Sequence, residues 1–511
     1  MTSSTEDADQ EAVIAFLARP ESYGISGQVE RIDTHAAIVF LAGERAYKLK
    51  RAVRYPYLDF STPGKRKAVC ETELALNRRT APELYLEVRS VNRAADGTLG
   101  FGAGEPVDWL IVMRRFEADD VLEAVAQRGG LDSAVVRELA DEIARFHDYA
   151  EVVRSDGSDR VRNVIAGNSE SMAEVTALRA DMCHALHEQS MAEWQRLSPL
   201  LDRRAGDGHV RHCHGDLHLA NICLWKGKPT LFDCLEFDTD LATTDVLYDL
   251  AFLLMDLWER GYRLPASQLL NRYLDMREES DGIAALPLFL SMRAAIRAHV
   301  GASAACRQST EVARLEKLAQ ARDYLRAAEA FLIQPAARLI AIGGLSGTGK
   351  STLAGLLAPA VGGAPGARWL RTDVLRKRLA GVDPETRLPP QAYTHEVGAA
   401  VYERLLDEAA EALAAGRSVI VDGVFADPAE RAKVAAVASS TQVRFAGLWL
   451  TAPRELLIAR IEGRRGDASD ADRHVVERQL EYDVGELGAW HVVDAEGPAA
   501  TVLDKARRLI A

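Results

Sequence analysis

"LIAIGGLSGTGKSTLAGLLA", residues 339–358, decides the architecture of the second half of this chain. Leu339–Ile342 is an apolar run that reads as a buried strand, and Thr352 onward reads as a helix. Between them, Gly344-Leu-Ser-Gly-Thr-Gly349-Lys350-Ser351 fits G-x-x-x-x-G-K-[ST] in full. Glycines at 344, 347 and 349 let backbone N–H groups turn inward around phosphate oxygens. The helix N-terminus adds partial positive charge at the same spot. Gly344, Ser346, Gly347, Thr348, Gly349 and Thr352 are therefore candidate nucleotide contacts. Lys350 is placed to reach the β- and γ-phosphates, and the Ser351 hydroxyl to sit on Mg²⁺.

Strands at "SVIVDG" (418–423) and "FAGLWL" (445–450) alternate with helices after this motif, which implies a parallel sheet covered on both faces. Asp422 ends an apolar strand, where a carboxylate can hold Mg²⁺ through water or cap a loop. In "WLRTDVLRKRL" (369–379), Asp373 follows another strand and is read either as a helix N-cap or as the group orienting an acceptor hydroxyl. "LLIARIEGRRGDASDA" (456–471) carries Arg460, Arg464 and Arg465. Arg460 and Arg464 stand one helical turn apart, as a clamp on a transferred phosphoryl group would. With "GGLSGTGKST", "RTDVLRKRL", "VIVDGVFADPAER" and "RIEGRRGDASDA", this half resembles the P-loop small-molecule kinases that include gluconate kinase and the zeta-toxin-like kinases. The resemblance spans roughly residues 337–511. It implies an ATP-dependent kinase with Asp373 near the acceptor and a mobile arginine lid.

The first half raises a separate question at "HCHGDLHLANICLW" (212–225) and "LFDCLEFD" (231–238). Polar and acidic residues sit there beside apolar runs, and buried carboxylates are costly unless paired or metal-bound. Asp216 and Asn221 have four residues between them, and Asp233 lies on the next strand. Protein-kinase-like enzymes use a catalytic-loop Asp, an Asn five positions later and a third acid that binds metal. "HGDLHLAN" followed by "LFDCLEFD" resembles the aminoglycoside phosphotransferase family, strongest at 212–238 and spanning about residues 25–330. The resemblance implies that Asp216 accepts the acceptor hydroxyl proton, that Asn221 and Asp233 hold Mg²⁺, and that His214 and His218 brace the loop. Asp245 and Asp249 in "TTDVLYDLAFLLMDL" are read as one helical turn apart; the resemblance implies that they support the catalytic loop, with substrate contact as the alternative.

Upstream, "QVERI", "AAIVFLA" and "RAYKLK" read as three strands broken at "DTH" and "GE". A helix starts near Pro63, and "LYLEVRSV" and "DWLIVMRRF" read as further strands. Two lysines share one face of "RAYKLK" by the period-two rule. Lys48 is preferred as the phosphate lysine, and Lys50, opening a basic run with Arg51, is read as solvated. Glu73 is its preferred helix partner, with Glu71 the alternate. The backbone near Met113 is the expected adenine contact. No G-x-G-x-x-G joins the first two strands; the turn is Ile32-Asp33-Thr34-His35, so phosphate coverage is expected to be looser or made by Thr34. Leu219-Ala220 stand where the family often has Pro-Gly.

The expected architecture is an α+β bilobal protein-kinase-like domain followed by an α/β P-loop kinase domain with a parallel sheet. Residues 1–113 form the small lobe, 114–333 a helical lobe, 334–337 a linker and 338–511 the P-loop domain. The chain has 511 residues with 48% hydrophobic and 27% charged content, ordinary for a globular protein. Its formal charge of -13 argues against a nucleic-acid partner. The acidic N-terminal stretch lacks a signal-peptide pattern, and no segment reads as a membrane span, so a cytoplasmic location is expected. Six cysteines without C-x-x-C spacing read as reduced core thiols. The leading functional expectation is a pair of fused ATP- and Mg²⁺-dependent kinases with small hydroxyl acceptors. A nucleotide-sensing first half regulating the second is the first alternative. An ATPase acting on a macromolecular partner is the second. Oligomeric state has no signature in the sequence.

Overall fold

The computed structural model describes residues 3–510 apart from 35, 56, 57, 307, 309, 464 and 465, with side chains described from residue 9 onward except at 55. Contacts divide the chain into two compact units. The first is Met1–Arg154 with Gly208–Asp249, and the second is Ser155–Asp207 with Leu250–Ala511.

In the first unit, β1 (Glu30–Asp33), β2 (Ala37–Ala42) and β3 (Arg45–Lys50) follow one another as antiparallel neighbours. The β2–β3 turn is two residues long, and Gly43 takes its positive φ of 59°. α1 (Pro63–Asn77) starts with Thr62 accepting a hydrogen bond from the Lys65 N–H and with Pro63 in its first turn. β4 (Tyr85–Arg93) and β5 (Glu105–Arg114) complete the main sheet, whose order is β1-β2-β3-β5-β4 and then the short strand Leu99–Gly100. Arg66, Cys70, Glu73 and Asn77 are the buried residues of α1, at helical spacing and mostly polar. Each polar one is matched. Arg66, for example, is bidentate to Asp108 at 2.7 and 3.0 Å. A polar inner face of this kind is what brings charge under the sheet.

α2 (Ser133–Tyr149) is capped by Asp132. β6 (Val210–His212) pairs with β9 (Thr243–Asp245), and β7 (Ile222–Trp225) with β8 (Lys228–Leu231). The β6–β9 pair was absent from the sequence reading, because three-residue strands carry too little pattern to register. α3 (Val246–Glu259) follows β9 directly.

The second unit begins with helices Gly157–Ala173 and Ala180–Gly206 and continues with α4 (Arg263–Met276), α5 (Leu286–Ala305) and α6 (Glu311–Leu332). One expectation is corrected here. The segment Asp281–Ala305 is long and apolar enough to cross a membrane by length and composition. It packs along α6 and is two-thirds buried, as a core helix of a large unit is.

β10 (Arg338–Gly344), α7 (Lys350–Leu357), β11 (Arg368–Arg371), α8 (Thr372–Leu379), α9 (His395–Ala414), β12 (Val419–Asp422), α10 (Pro428–Ser440), β13 (Arg444–Thr451), α11 (Arg454–Glu462), β14 (Trp490–Asp494) and α12 (Ala499–Ile510) form the alternating α/β part. Its five-stranded sheet is parallel throughout, in the order β11-β12-β10-β13-β14. Ile340, Ile342, Ile420 and Leu448 pack with Leu353 and Leu357 of α7 and Val502 and Ala506 of α12. The chain leaves β10 where successive crossovers run to opposite sides, the crevice at which open α/β sheets bind ligands. The contact-defined units do not part at residues 334–337: α4, α5 and α6 group with the parallel sheet. Among the described residues the cysteines are free, four of them buried.

Candidate active sites

In the first unit, Lys48 Nζ lies 2.8 Å from Glu73 Oε1 and 2.5 Å from Asp233 Oδ1. Three elements distant in sequence, β3, α1 and the loop after β8, thus meet at one ammonium. Glu73 is fully buried, whereas Glu71 is exposed and 3.8 Å from Lys67, so the geometry selects Glu73. Burial opposes charge on Lys48, but Asp233 and Glu73 outweigh it and hold its pKa well above the ordinary lysine value. Burial likewise opposes charge on Asp233, and Lys48 and Lys50 overcome it, keeping that carboxyl below its usual range.

Lys50 departs from its solvated reading. It is 2% exposed, its Nζ is 2.5 Å from Glu73 Oε2, and it is also paired with Glu236. The physical reason is the strand period itself: residues 48 and 50 share the face of β3 turned toward α1. Burial, set against the pull of Lys50, leaves the Glu236 carboxyl above its usual range.

Asp233 sits at φ 62°, a left-handed conformation for a non-glycine residue. Its N–H donates to the Tyr85 hydroxyl at 3.2 Å, and the next N–H, of Cys234, donates to Asn77 Oδ1 at 2.9 Å. β4 and α1 therefore hold the loop in the strained form that turns Asp233 toward Lys48.

The loop 214–221 is held from below by Asp249. Its Oδ1 accepts the Gly215 N–H at 2.8 Å, its Oδ2 accepts the His214 N–H at 3.2 Å, and His147 Nε2 lies 3.1 Å from Oδ2. Gly215 has φ 83°, and a Cβ there would come within 2.9 Å of Leu235 Cβ. Asp245 is not one helical turn from Asp249. It ends β9, and its carboxylate accepts the Leu247 N–H at 2.8 Å.

Asn221 Nδ2 donates to the Asp216 carbonyl and to its Oδ2, both at 2.9 Å. His218 Nδ1 accepts the Ala220 N–H at 3.3 Å, and its Nε2 is 3.4 Å from Asp216 Oδ2. The Asp216 N–H donates to His214 Nδ1 at 3.3 Å. That fixes the tautomer whose Nε2–H faces the Phe232 carbonyl at 3.0 Å. Asp216, Asn221, Asp233 and Lys48 thus belong to one constellation.

Met113 occupies a different position from the one expected. It is buried and registered between Ala46 and Tyr85 inside the sheet. The following N–H groups, of Arg114 and Arg115, donate to the Leu84 and Glu44 carbonyls. Strand β5 is central, so backbone for a base becomes available only beyond Arg115. Thr34 Oγ1 is bonded across its own turn to Ala37 at 3.0 Å.

In the second unit, the turn after β10 carries Gly344, Gly347 and Gly349 at φ 137°, 85° and 92°. A Cβ on Gly347 would lie 2.6 Å from the Leu457 carbonyl oxygen, so the close approach of α11 requires glycine. Ser346 N–H donates to Gln479 Oε1 at 2.7 Å, and Thr348 Oγ1 donates to the Leu345 carbonyl at 2.8 Å. Lys350 Nζ folds back on that carbonyl at 3.0 Å.

The Ser351 hydroxyl is hydrogen-bonded to Asp422, which is 4% exposed and registered beside Ile342. Burial raises the Asp422 pKa against the pull of Lys350. Its Oδ2 has no hydrogen-bond partner among the described residues. An orphaned buried carboxylate oxygen beside a hydroxyl is a donor set that fits a hard divalent cation.

Gly347, Thr348, Gly349, Thr352 and Arg460 line a cavity of about 300 Å³ whose far wall includes Ala495 and Val502. Arg460 is not poised over the loop's N–H side. Its Nη1 faces the Gly347 and Thr348 carbonyls at 3.4 and 3.3 Å, and its Nη2 donates to the Ala495 carbonyl at 2.8 Å. Arg460 therefore braces the carbonyl side of the glycine loop and ties it to Ala495. Arg464 and Arg465 lie outside the described residues. Arg371, not Asp373, is the N-cap of α8, and Asp373 falls in the first turn. Burial raises the pKa of Tyr402 and of Asp422, and the Asp373 charge adds a little to both.

Sequence reasoning marked Glu236 as a buried acid but missed Lys50 as its partner, although the period of β3 was an available signal. No sequence signal marked Asn271 or Asp275, which pair with the strand β11.

Residues 58–286 match the model of the phosphotransferase enzyme family, and residues 339–483 match that of an AAA domain. An uncharacterized protein of Mycobacterium tuberculosis is 30% identical over 480 residues, covering 91% of this chain and 92% of its own length. Among solved structures, a choline/ethanolamine kinase family protein from Mesorhizobium loti is 16% identical with a TM-score of 0.40, covering 62% of this chain and 98% of that one. A sugar kinase from a Janibacter species is 20% identical with a TM-score of 0.27, covering 34% of this chain and 95% of that one.

Fold and sites together define a two-part protein of the kinase and phosphotransferase type. The chain belongs, with its mycobacterial relative, to a family that joins a phosphotransferase enzyme family domain to a P-loop kinase-like domain.

Proposed function

We propose that both parts transfer the γ-phosphoryl group of ATP, with Mg²⁺, to hydroxyl groups of small molecules. The observation that carries this reading is a lysine set near a metal-type acid in each part: Lys48 lies 2.5 Å from Asp233, and Lys350 stands on the glycine loop that follows β10, whose Ile342 is registered beside the buried Asp422. In the first part, Asn221 and Asp233 would hold the metal, and Lys48 would pass from Asp233 to a phosphate oxygen while Glu73 keeps it aimed. Asp216 orients the acceptor hydroxyl and takes its proton as that oxygen bonds to phosphorus and ADP leaves. In the second, the N–H groups of 344–349 and Lys350 receive the phosphates, Ser351 and Asp422 would hold the metal, and Asp373 orients the acceptor. The metal, when bound, neutralises charge on the phosphates. Small neutral or charged hydroxyl compounds suit both parts better than nucleic acid, given the net charge of -13.

One observation favours a second reading, in which the first part senses nucleotide and regulates the second. The β1–β2 turn has no glycine loop to cover phosphates. MgATP consumption by Asp216→Asn and Lys350→Ala chains, measured against a panel of sugars and aminoglycosides, separates the two. Two independently lost activities support paired kinases. If Asp216→Asn instead changes only the rate of the Lys350-dependent reaction, the first part is a regulator.

A further inference from the structure

α4 lies within the segment matching the phosphotransferase family, yet its polar face is spent on the parallel sheet of the other part. β11 is an edge strand: its Arg368 N–H donates to the Ser418 carbonyl of the β12 side at 2.9 Å, which turns the Ala367 carbonyl and the Trp369 N–H outward. The Asn271 side chain fills that outward edge. Its Nδ2 donates to the Ala367 carbonyl at 3.0 Å and to Ser267 of its own helix, and its Oδ1 accepts the Trp369 N–H at 2.7 Å. An amide side chain carries the same donor and acceptor as a peptide group, so Asn271 stands where one residue of a further strand would pair.

One turn later, Asp275 Oδ1 accepts Arg368 Nη1 at 2.8 Å, and its Oδ2 lies 3.6 Å from Arg371. Asn271, Asp275 and Arg368 are all under 9% exposed. Beside them Arg272 is bidentate to Glu385 at 2.8 and 3.1 Å. Asn271, Asp275 and Arg368 are hydrogen-bonded to one another and to the strand edge inside the protein, and a buried polar network of this kind favours one geometry, because others leave these groups unpaired. That geometry is the end of β11, where Arg371 is registered opposite Asp422 and Asp373 follows two residues later.

We propose that Asn271 and Asp275 of α4 are positioning residues for the P-loop site, holding edge strand β11 and through it Arg371 and Asp373. The second part is then not a detachable module: the phosphotransferase part builds its sheet edge. This rests on the kinase reading of the P-loop part given above.

The test uses the full chain, with the Lys350-dependent part of MgATP hydrolysis as readout. Asn271→Ala and Asp275→Ala are expected to lower kcat about tenfold or more, with KM for ATP within about twofold of the parent. Asp275→Glu is expected to keep most of the rate, and the isosteric Asn271→Asp to fall between. Hydrogen exchange should quicken at residues 367–379 in the alanine chains and stay unchanged at 344–351. Unchanged exchange at 367–379, or lower thermal stability with unchanged kcat, overturns the positioning role alone. If the parent chain shows no Lys350-dependent ATP binding or hydrolysis, the kinase reading and this proposal fall together.

Discussion

Lys50 and Lys48 divide the Glu73 carboxylate between them, one oxygen each, at 2.5 and 2.8 Å. The two lysines face three acids, Glu73, Asp233 and Glu236, so removing either cation leaves buried negative charge unmatched. Their surroundings differ, however. Lys48 is 14% exposed and touches the acid of the metal-type loop, whereas Lys50 is sealed beneath it.

Lys50→Ala is therefore expected to act on stability. A loss of about 3 kcal/mol follows from stranding Glu73 and Glu236, read as a lower midpoint for the first unfolding transition in urea. Lys48→Ala should act mainly on turnover. An equal loss of stability in both variants would contradict the division of roles.

Asp249→Asn tests the support under the loop 214–221. The amide nitrogen would meet N–H donors at one oxygen position now filled by an acceptor. A cost of about 1–3 kcal/mol is expected for the buried mismatch, together with lower Asp216-dependent turnover. Thermal unfolding and ATP consumption in the same preparation measure both.

Arg460→Ala separates a residue bracing the carbonyl side of the glycine loop from a phosphate clamp. With its guanidinium held by the Gly347, Thr348 and Ala495 carbonyls, it is expected to raise KM for ATP about tenfold with little change in kcat. Affinity for ADP should fall in parallel. A large fall in kcat at unchanged KM would return Arg460 to the reacting phosphoryl group.

Glu430 supplies a pH dependence. Burial pushes its carboxyl up from an ordinary 4.5 to about 7, against the Tyr402 hydroxyl that donates to it. Between those values the folded chain binds a proton that the unfolded chain has released, so stability falls as pH rises through the window. Glu430→Gln keeps an acceptor for Tyr402 and removes the titration. The melting temperature of the variant should exceed that of the parent at pH 8 and converge with it near pH 4.5. A constant difference across the range would remove Glu430 as the source.

Much of both candidate sites is legible in the sequence alone, because their residues lie in short stretches. The strand, glycine loop and helix of 339–358 lie in one continuous stretch, and Asp216, Asn221 and Asp233 fall within eighteen residues. The three strands of 30–50 show through their alternation and turns. What stayed hidden depends on packing between distant segments. Lys50 heads a basic run, and only α1 folding over β3 makes it a core residue. Arg460 has the right spacing for a lid, but the carbonyls that hold it come from residues 347, 348 and 495. Asn271 and Asp275 look like the polar face of an ordinary amphipathic helix until β11 is placed against them. For the same reason the linker at 334–337 was visible as composition, while the grouping of α4, α5 and α6 with the parallel sheet was not.

Calorimetric titration of the intact chain with a non-hydrolysable ATP analogue and Mg²⁺ bears most directly on the central claim. Two binding events per chain are expected, with Lys350→Ala abolishing one and Lys48→Ala weakening the other. A single event in the parent chain, or none, would contradict it.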